Sequence, residues 1–320
     1  MARTRYATDR GLVARMGATM FMLGLVFTAF IVALVFLLFR YSSISSGGII
    51  VIAVLFGAAM TFGSYFYSDK IALSASGARL VSPQDGPDAA RLHAIVDRIC
   101  ALADMPKPRV AIAPTDMPNA FATGRNSKAA VVCATQGVLN RLDNEELEGV
   151  LAHEMSHVAH KDVAVMTIAS FLGIIAALLV RFAFYSELFG GGGRGRSNNN
   201  NQSAFPVILA IMAVSVVVYA ISFLLIRMLS RYRELSADRS GALLTGNPSA
   251  LASALQKVSG TIAMIPTRDL RKAETLNAFY FAPALSARKG EFSLAGVFST
   301  HPSLDRRLRE LDKVAKQLGR

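Results

Sequence analysis

The chain has no tryptophan and only two cysteines among its 320 residues. Cys100 and Cys133 lie far apart and in no Cys-x-x-Cys pair. That excludes a disulfide framework and a cysteine-based zinc site, and fits a reducing compartment. Charge is scarce too, at 18% of residues, and acid is scarcer than base: 22 Asp and Glu against 34 Lys and Arg, a net charge of +12. A pI near 10.0 invites a nucleic-acid reading, but the chain carries no RNA-binding aromatic signature. The basic excess fits cytoplasmic segments lying beside anionic lipid better. Histidine is also rare. Of the five, His153, His157 and His160 fall within eight residues, with His93 and His301 apart from them. Satisfied core histidines do not gather in this way.

What fills the space left by charge is apolar: 52% of the chain is hydrophobic. Four runs, 16–39, 47–67, 163–189 and 204–228, are almost free of charge. Each exceeds the roughly 20 residues a helix needs to cross a bilayer. The first is too long for a cleavable signal peptide and lacks a small-residue cleavage site. Arg3, Arg5, Arg10 and Arg15 precede it, so the amino terminus is expected in the cytoplasm. Residues 1–68 then form one transmembrane hairpin and 163–228 a second, with the Gly- and Asn-rich stretch 190–203 reading as a flexible external loop. Arg194 and Arg196 mildly oppose that orientation. The segments 69–162 and 229–320 are expected as the two parts of one cytoplasmic domain. The expected molecule is a mainly α integral membrane protein with four transmembrane helices and both termini inside.

Along the soluble part, 68–81 reads as a juxtamembrane linker. Residues 83–104 read as an amphipathic helix with Leu92, Ile95, Val96, Ile99 and Leu102 on its apolar side, and His93 as an ordinary surface or packing histidine. Residues 109–113 and 129–134 look like strands of a small meander. The segment 116–125 between them is either a plain turn or an edge that an extended peptide can join by strand addition.

The chemistry is concentrated in Leu151-Ala-His-Glu-Met-Ser-His157. On a helix, this spacing puts His153 and His157 on one face, one turn apart, where two neutral imidazoles can share a Zn²⁺. Glu154 then borders the open position, where a carboxylate can take a proton from water and pass it to a leaving amine. Asp143 with Glu146 reads as a capping box for that helix. Gly149 costs helix propensity and is expected to permit a close approach.

A third ligand is needed, because catalytic zinc keeps three protein ligands and one open position. Glu234 and Asp238 form an i, i+4 pair on the expected continuation of the fourth apolar run. Antiparallel passes bring Glu234 level with the two histidines, at ~1.5 Å of rise per residue. Glu234 is therefore the expected third ligand, and the shorter Asp238 the partner of a zinc histidine's N–H. His160 is not expected to ligate, since three ligands on one helix would strain a tetrahedral site. Residues 247–265 read as another helix, 266–295 as irregular. His301, held before Pro302, is either a capping residue or a functional group at the start of a final charged helix.

Four pieces together resemble the membrane-bound HtpX-type zinc endopeptidases, relatives of the CaaX prenyl proteases. They are His153-Glu154-x-x-His157, Glu234-x-x-Ala237-Asp238, Met117-Pro-Asn-Ala-Phe121, and Thr300-His301-Pro302 with Arg307. The resemblance implies a zincin-like (gluzincin) α+β catalytic domain with a small β-sheet, and one Zn²⁺ per chain on His153, His157 and Glu234. It implies Glu154 as general base, and a substrate-binding edge at Asn119, Ala120 and Phe121. It also implies His301 as oxyanion stabiliser, with Arg307 as its helper. The implied role is quality control and stress response at the bacterial inner membrane. Misfolded membrane proteins and unfolded chains are cut on the cytoplasmic side, and the enzyme cleaves itself once zinc is supplied.

Other readings compete. A metzincin needs a glycine at His160 and a histidine at Val163. An intramembrane site-2-type protease buries its motif in hydrocarbon, whereas Lys161-Asp162 follows this one. A CaaX-type protease is the nearest enzymatic alternative, but is expected to have more passes. An inactive zinc-binding scaffold has no use for Glu154.

Overall fold

The computed structural model describes residues 10–41, 55, 57–59, 61–63, 65–190, 205–264 and 301–319. The chain forms two compact units, one of residues 1–16, 64–165 and 230–320, the other of 17–63 and 166–229.

The first unit holds the sheet. After α1 (Arg10–Tyr41), whose first turns belong here, come α2 (Ser68–Ser76), β1 (Arg79–Leu80) and α3 (Pro87–Ala103). Next are β2 (Arg109–Ala113), β3 (Ala120–Thr123), β4 (Val131–Thr135), α4 (Gln136–Arg141) and α5 (Asn144–Ala159). α3 starts with Pro87 in its first turn and ends at Asp104, which takes a left-handed conformation at φ 54°. Its stripe of Leu92, Ile95, Val96 and Ile99 is buried, as the period requires. His93 Nε2 lies 2.9 Å from the Val81 carbonyl, a packing role.

The sheet order is β1-β2-β4-β3. β2 and β4 run parallel, with Arg109 opposite Val131, while β3 pairs antiparallel with β4 at the far edge. The expected meander is therefore corrected in its order, since β2 and β4 are parallel neighbours, and of the two readings of 116–125 it is the edge strand that forms. Parallel pairing needs the chain to cross over before β4 can lie beside β2, and β3 is formed on that path. Side chains alternate across the sheet. Ala111, Ala113, Phe121, Val131 and Cys133 pack with Ala72 of α2, while Val110, Ala120, Val132 and Ala134 join the main core with α3 and α5. The expected linker at 68–81 is thus α2 and β1, short elements with too few periods to read from sequence.

Among the described residues the chain continues with α6 (Asp162–Gly190), α7 (Phe205–Thr245) and α8 (Pro248–Met264). A final α9 (Leu304–Gln317) brings Leu311 and Val314 into the same core as Leu251, Leu255 and Val258 of α8.

The second unit is helical. Leu23, Phe30, Ala169, Ile175, Ala176 and Val218 are buried in it, and Phe27 meets Phe171 with ring centroids 6.4 Å apart. Gly57 packs against the tip of the Ile175 side chain. Phe21, Met22, Leu25, Val32, Leu209, Val216, Val217, Ile221 and Leu224 are exposed. An apolar surface of this size on a helical bundle suits lipid, not water.

Among the described residues two helices are long and apolar enough to span, with windows Val13–Phe30 and Leu209–Thr245. A third counts only if α5 and the first part of α6 are taken as one broken span. The expectation of four spans is therefore carried in part. Much of 47–67 lies outside the described residues, as do 191–203 of the expected external loop, Arg3, Arg5 and 266–295.

Candidate metal centre

α5 is fixed at its start. The Asp143 side chain accepts from the Glu146 N–H at 2.9 Å, and Glu146 Oε2 accepts from the Asp143 N–H at 3.1 Å, the expected capping box. Ser253 Oγ and Lys257 Nζ of α8 each hold Glu146 Oε1 at 2.6 Å. Two glycines then let helices approach at backbone distance. A Cβ at Gly149 would lie 3.2 Å from the Leu251 backbone of α8, and one at Gly241 of α7 would lie 2.9 Å from the His153 nitrogen. The second contact sets α7 against α5 at the level of the histidines and brings Glu234 and Asp238 to them.

Each imidazole is held from behind. His153 Nδ1 lies 2.9 Å from Asp238 Oδ1, and His157 Nδ1 lies 2.6 Å from Asp162 Oδ2. A carboxylate acceptor at Nδ1 fixes the proton there and leaves each Nε2 lone pair forward. The two Nε2 atoms are 3.3 Å apart. Glu234 Oε1 is 3.5 Å from His157 Nε2, and Glu234 Oε2 is 3.8 Å from His153 Nε2. All three residues offer a ligand atom within 4.8 Å of one another. Two imidazoles plus one carboxylate, with their outer partners in place, match a catalytic zinc site with one open position.

Burial lowers the His153 imidazole despite the pull of Asp238, which favours the neutral ligand form. Burial also acts to lower His157, but the Asp162 hydrogen bond and charge, with Glu234, raise it. Glu154 is 6% exposed, and burial pushes its carboxyl up to about 7; a cation at the three donors acts in the opposite direction. Glu154 Oε1 is 3.9 Å from His153 Nε2, beside the convergence point.

Arg307 reaches in from α9 and is 1% exposed. Its Nε and Nη2 donate to the two oxygens of Asp238 at 2.8 and 2.6 Å, and Nη1 stands 3.7 Å from Glu234 Oε2. Burial alone would lower the guanidinium, but Asp238, Glu234 and Glu154 raise it. The resemblance implies a catalytic helper for His301. The geometry gives Arg307 both oxygens of Asp238, the carboxylate behind His153. His301 Nδ1 lies 3.0 Å from Glu234 Oε2.

The edge strand completes the site. The Ala122 N–H donates to Glu154 Oε2 at 3.2 Å. Asn119 is turned towards β4: its N–H donates to Thr135 Oγ at 2.9 Å, and its carbonyl accepts from the Thr135 N–H at 2.9 Å. Alternate residues of an antiparallel strand send both backbone groups to one side. Phe121 and Thr123 therefore share the side of Asn119, while the backbone groups of Ala120 and Ala122 face away from β4, at the edge of the described sheet. Of the expected edge residues, Ala120 presents its backbone groups away from β4, and Asn119 and Phe121 present theirs towards it. The Phe121 ring belongs to the core on the α2 side of the sheet.

Asp162 is the site residue that sequence reasoning passed over. The signal was an acid just beyond the helix end, read only as surface charge. Lys161, at φ 57°, makes the turn that returns Asp162 to His157. Arg233 Nε lies 2.8 Å from Asp162 Oδ2.

Fold and site together define a membrane metallopeptidase. The sequence model of peptidase family M48 matches residues 87–315. The chain is 54% identical to Protease HtpX homolog 1 of Streptomyces coelicolor, over 99% of this chain and 97% of that protein. It is 47% identical to the Protease HtpX homolog of Moorella thermoacetica, over 99% and 98%. The crystal structure of S. mikatae Ste24p superposes with a TM-score of 0.50 at 16% identity, covering 97% of this chain and 68% of that one. The chain belongs to peptidase family M48, among its HtpX-like proteases. Family membership implies a metal, generally zinc, and sets aside the inactive-scaffold reading.

Proposed function

We propose that the chain is a zinc endopeptidase of the bacterial inner membrane that cuts misfolded or damaged membrane proteins and unfolded chains on the cytoplasmic side. Its role is quality control under stress, with self-cleavage once zinc is supplied. The hairpins 1–68 and 163–228 cross the bilayer, and 69–162 with 229–320 form the catalytic domain. His153, His157 and Glu234 hold the ion, and Asp238 and Asp162 orient the imidazoles. A bound Zn²⁺ supplies a Lewis acid that polarises a carbonyl and acidifies water.

The chain's own residues do the rest. An extended segment of the target lies along the edge of β3, with its backbone against Ala120 and the Ala122 carbonyl. Glu154 takes a proton from the attacking water and returns it to the leaving amine. Because Glu154 also holds the Ala122 N–H, base and substrate edge are in register. His301 donates to the developing oxyanion. Unfolded or misfolded chains suit this edge because their backbone groups are unpaired. The likeness to Ste24p is one of fold and adds no weight to CaaX-type processing.

The observation that carries the reading is the pair of carboxylates on the two Nδ1 atoms, which turns both Nε2 atoms towards Glu234. The test is purification under chelator in detergent, then zinc addition with casein as the unfolded substrate. Wild type is expected to bind one zinc and cleave both casein and itself. Glu154→Gln is expected to bind zinc equally and to lose roughly 10²–10⁴-fold in rate. Casein cleavage by that variant at the wild-type rate removes Glu154 from the role of base.

A further inference from the structure

One exposed aromatic group of the catalytic unit lies where the second apolar run ends. Phe66 is 50% exposed, Tyr67 55% and Ile71 49%. Each of the two rings carries a cation: Arg125 Cζ is 5.7 Å from the Phe66 centroid, and Lys70 Nζ is 5.3 Å from that of Tyr67. The Tyr65 O–H donates to the Arg125 carbonyl at 3.0 Å. Arg125 and Lys128 are exposed in the turn between β3 and β4. The acid among them, Asp69, is engaged by Arg109 at 2.6 Å, so Lys70, Arg125 and Lys128 give the patch a positive sign.

The turn is closely packed at its start. Gly124 has φ 138°, and a Cβ there would lie 2.7 Å from Ala130 Cα. Arg125 is two residues from Thr123, the end of β3, and the Ala122 N–H before it donates to Glu154.

We propose that Phe66, Tyr67, Lys70, Arg125 and Lys128 form a docking surface for the anionic phospholipid headgroups of the chain's own bilayer, and that this contact sets the position of the β3 edge. Continuity argues for this occupant, because the aromatics close an apolar run of membrane-spanning length. Charge argues for it as well, since cations beside aromatics at a membrane end attract anionic lipid. The proposal rests on the membrane placement of the chain and not on the choice of substrate.

The lack of tryptophan supplies the test. The full chain with Phe66→Trp carries a single indole and is placed in bilayer nanodiscs containing brominated phosphatidylglycerol or brominated phosphatidylcholine. The expected quenching by the anionic lipid is roughly threefold or more above that by the zwitterionic one. Replacing Lys70, Arg125 and Lys128 by Gln in that background is expected to abolish the preference, and Lys70→Arg with Arg125→Lys and Lys128→Arg to restore it. Equal quenching, no quenching, or a preference that survives the Gln changes overturns the headgroup contact. The same measurement on a Glu154→Gln chain reads binding without proteolysis, so failure of the protease reading is seen separately. For the coupling, wild-type casein cleavage is expected to run several-fold faster with phosphatidylglycerol. The triple Gln variant is expected to be equally slow in both lipids and normal in detergent. A wild-type rate indifferent to headgroup overturns the link to β3.

Discussion

Two histidines one turn apart are common on helices; the carboxylates behind them are what orient them. Glu234→Ala removes a donor from the convergence point and is expected to lower zinc affinity steeply, leaving an intact, inactive chain. Asp238→Ala and Asp162→Ala leave the ligands in place but free the rings to turn, with an expected loss of roughly 10–100-fold in affinity each. His160→Ala is expected to keep metal and activity. Metal analysis of the four purified variants decides among these roles, and stoichiometric zinc in Glu234→Ala would remove it from the ligand set. His301→Ala is expected to lower kcat roughly 10²–10³-fold with zinc content unchanged at saturating zinc. Loss of zinc instead would make the 3.0 Å contact with Glu234 its main duty.

At the scale of elements, helix contacts made through glycine hold the site together. Gly241→Ala forces a methyl to 2.9 Å from the His153 backbone, whereas Gly149→Ala meets Leu251 at 3.2 Å. The first is expected to cost about 1–3 kcal/mol and most of the activity, the second less. Cys100 and Cys133 are free and buried, and burial pushes their thiols up to about 11 and about 12. Their labelling on heating therefore reports unfolding.

The capping box adds a pH dependence. Burial works to raise the Glu146 carboxyl, but Lys257, Ser253 and the Asp143 N–H lower it. A carboxyl depressed in the folded state stabilises above its unfolded pKa of about 4.3, and that contribution fades as pH falls through the folded value. Glu146→Gln is expected to be less stable than wild type by about 0.5–1 kcal/mol at pH 7, with the gap closing below about pH 4. A gap that stays constant with pH would mean the charge does no stabilising.

The helices that carry the site were legible because their signals are local: the cap at Asp143, the histidine spacing, and the reach of one continuous helix to Glu234. Asp162 was not, because a left-handed Lys161 breaks the periodicity that would have pointed to it. The place of β3 was not legible either. Strand order depends on a crossover between β2 and β4, and no residue within Ala120–Thr123 records which neighbour it will have.

For the whole molecule, the arginine-rich start and the two hairpins set the expected topology. A reporter after Arg320 is expected to behave as cytoplasmic and one inserted at Asn200 as external. An external signal from the Arg320 fusion would reverse the assignment of sides. The apolar runs were legible by length, but length alone does not separate four full passes from fewer. The windows at Val13–Phe30 and Leu209–Thr245 carry two.

Arg307 comes last in chain order among the site residues, on α9. During synthesis, which runs from the amino terminus, Asp238 and Glu234 exist before the guanidinium that lies between them. A chain made only as far as the end of α8 therefore has the metal donors but not the counter-charge that keeps Asp238 on His153. Translation order acts as a delay on proteolysis: the nascent enzyme completes its cutting site only once α9 has been made.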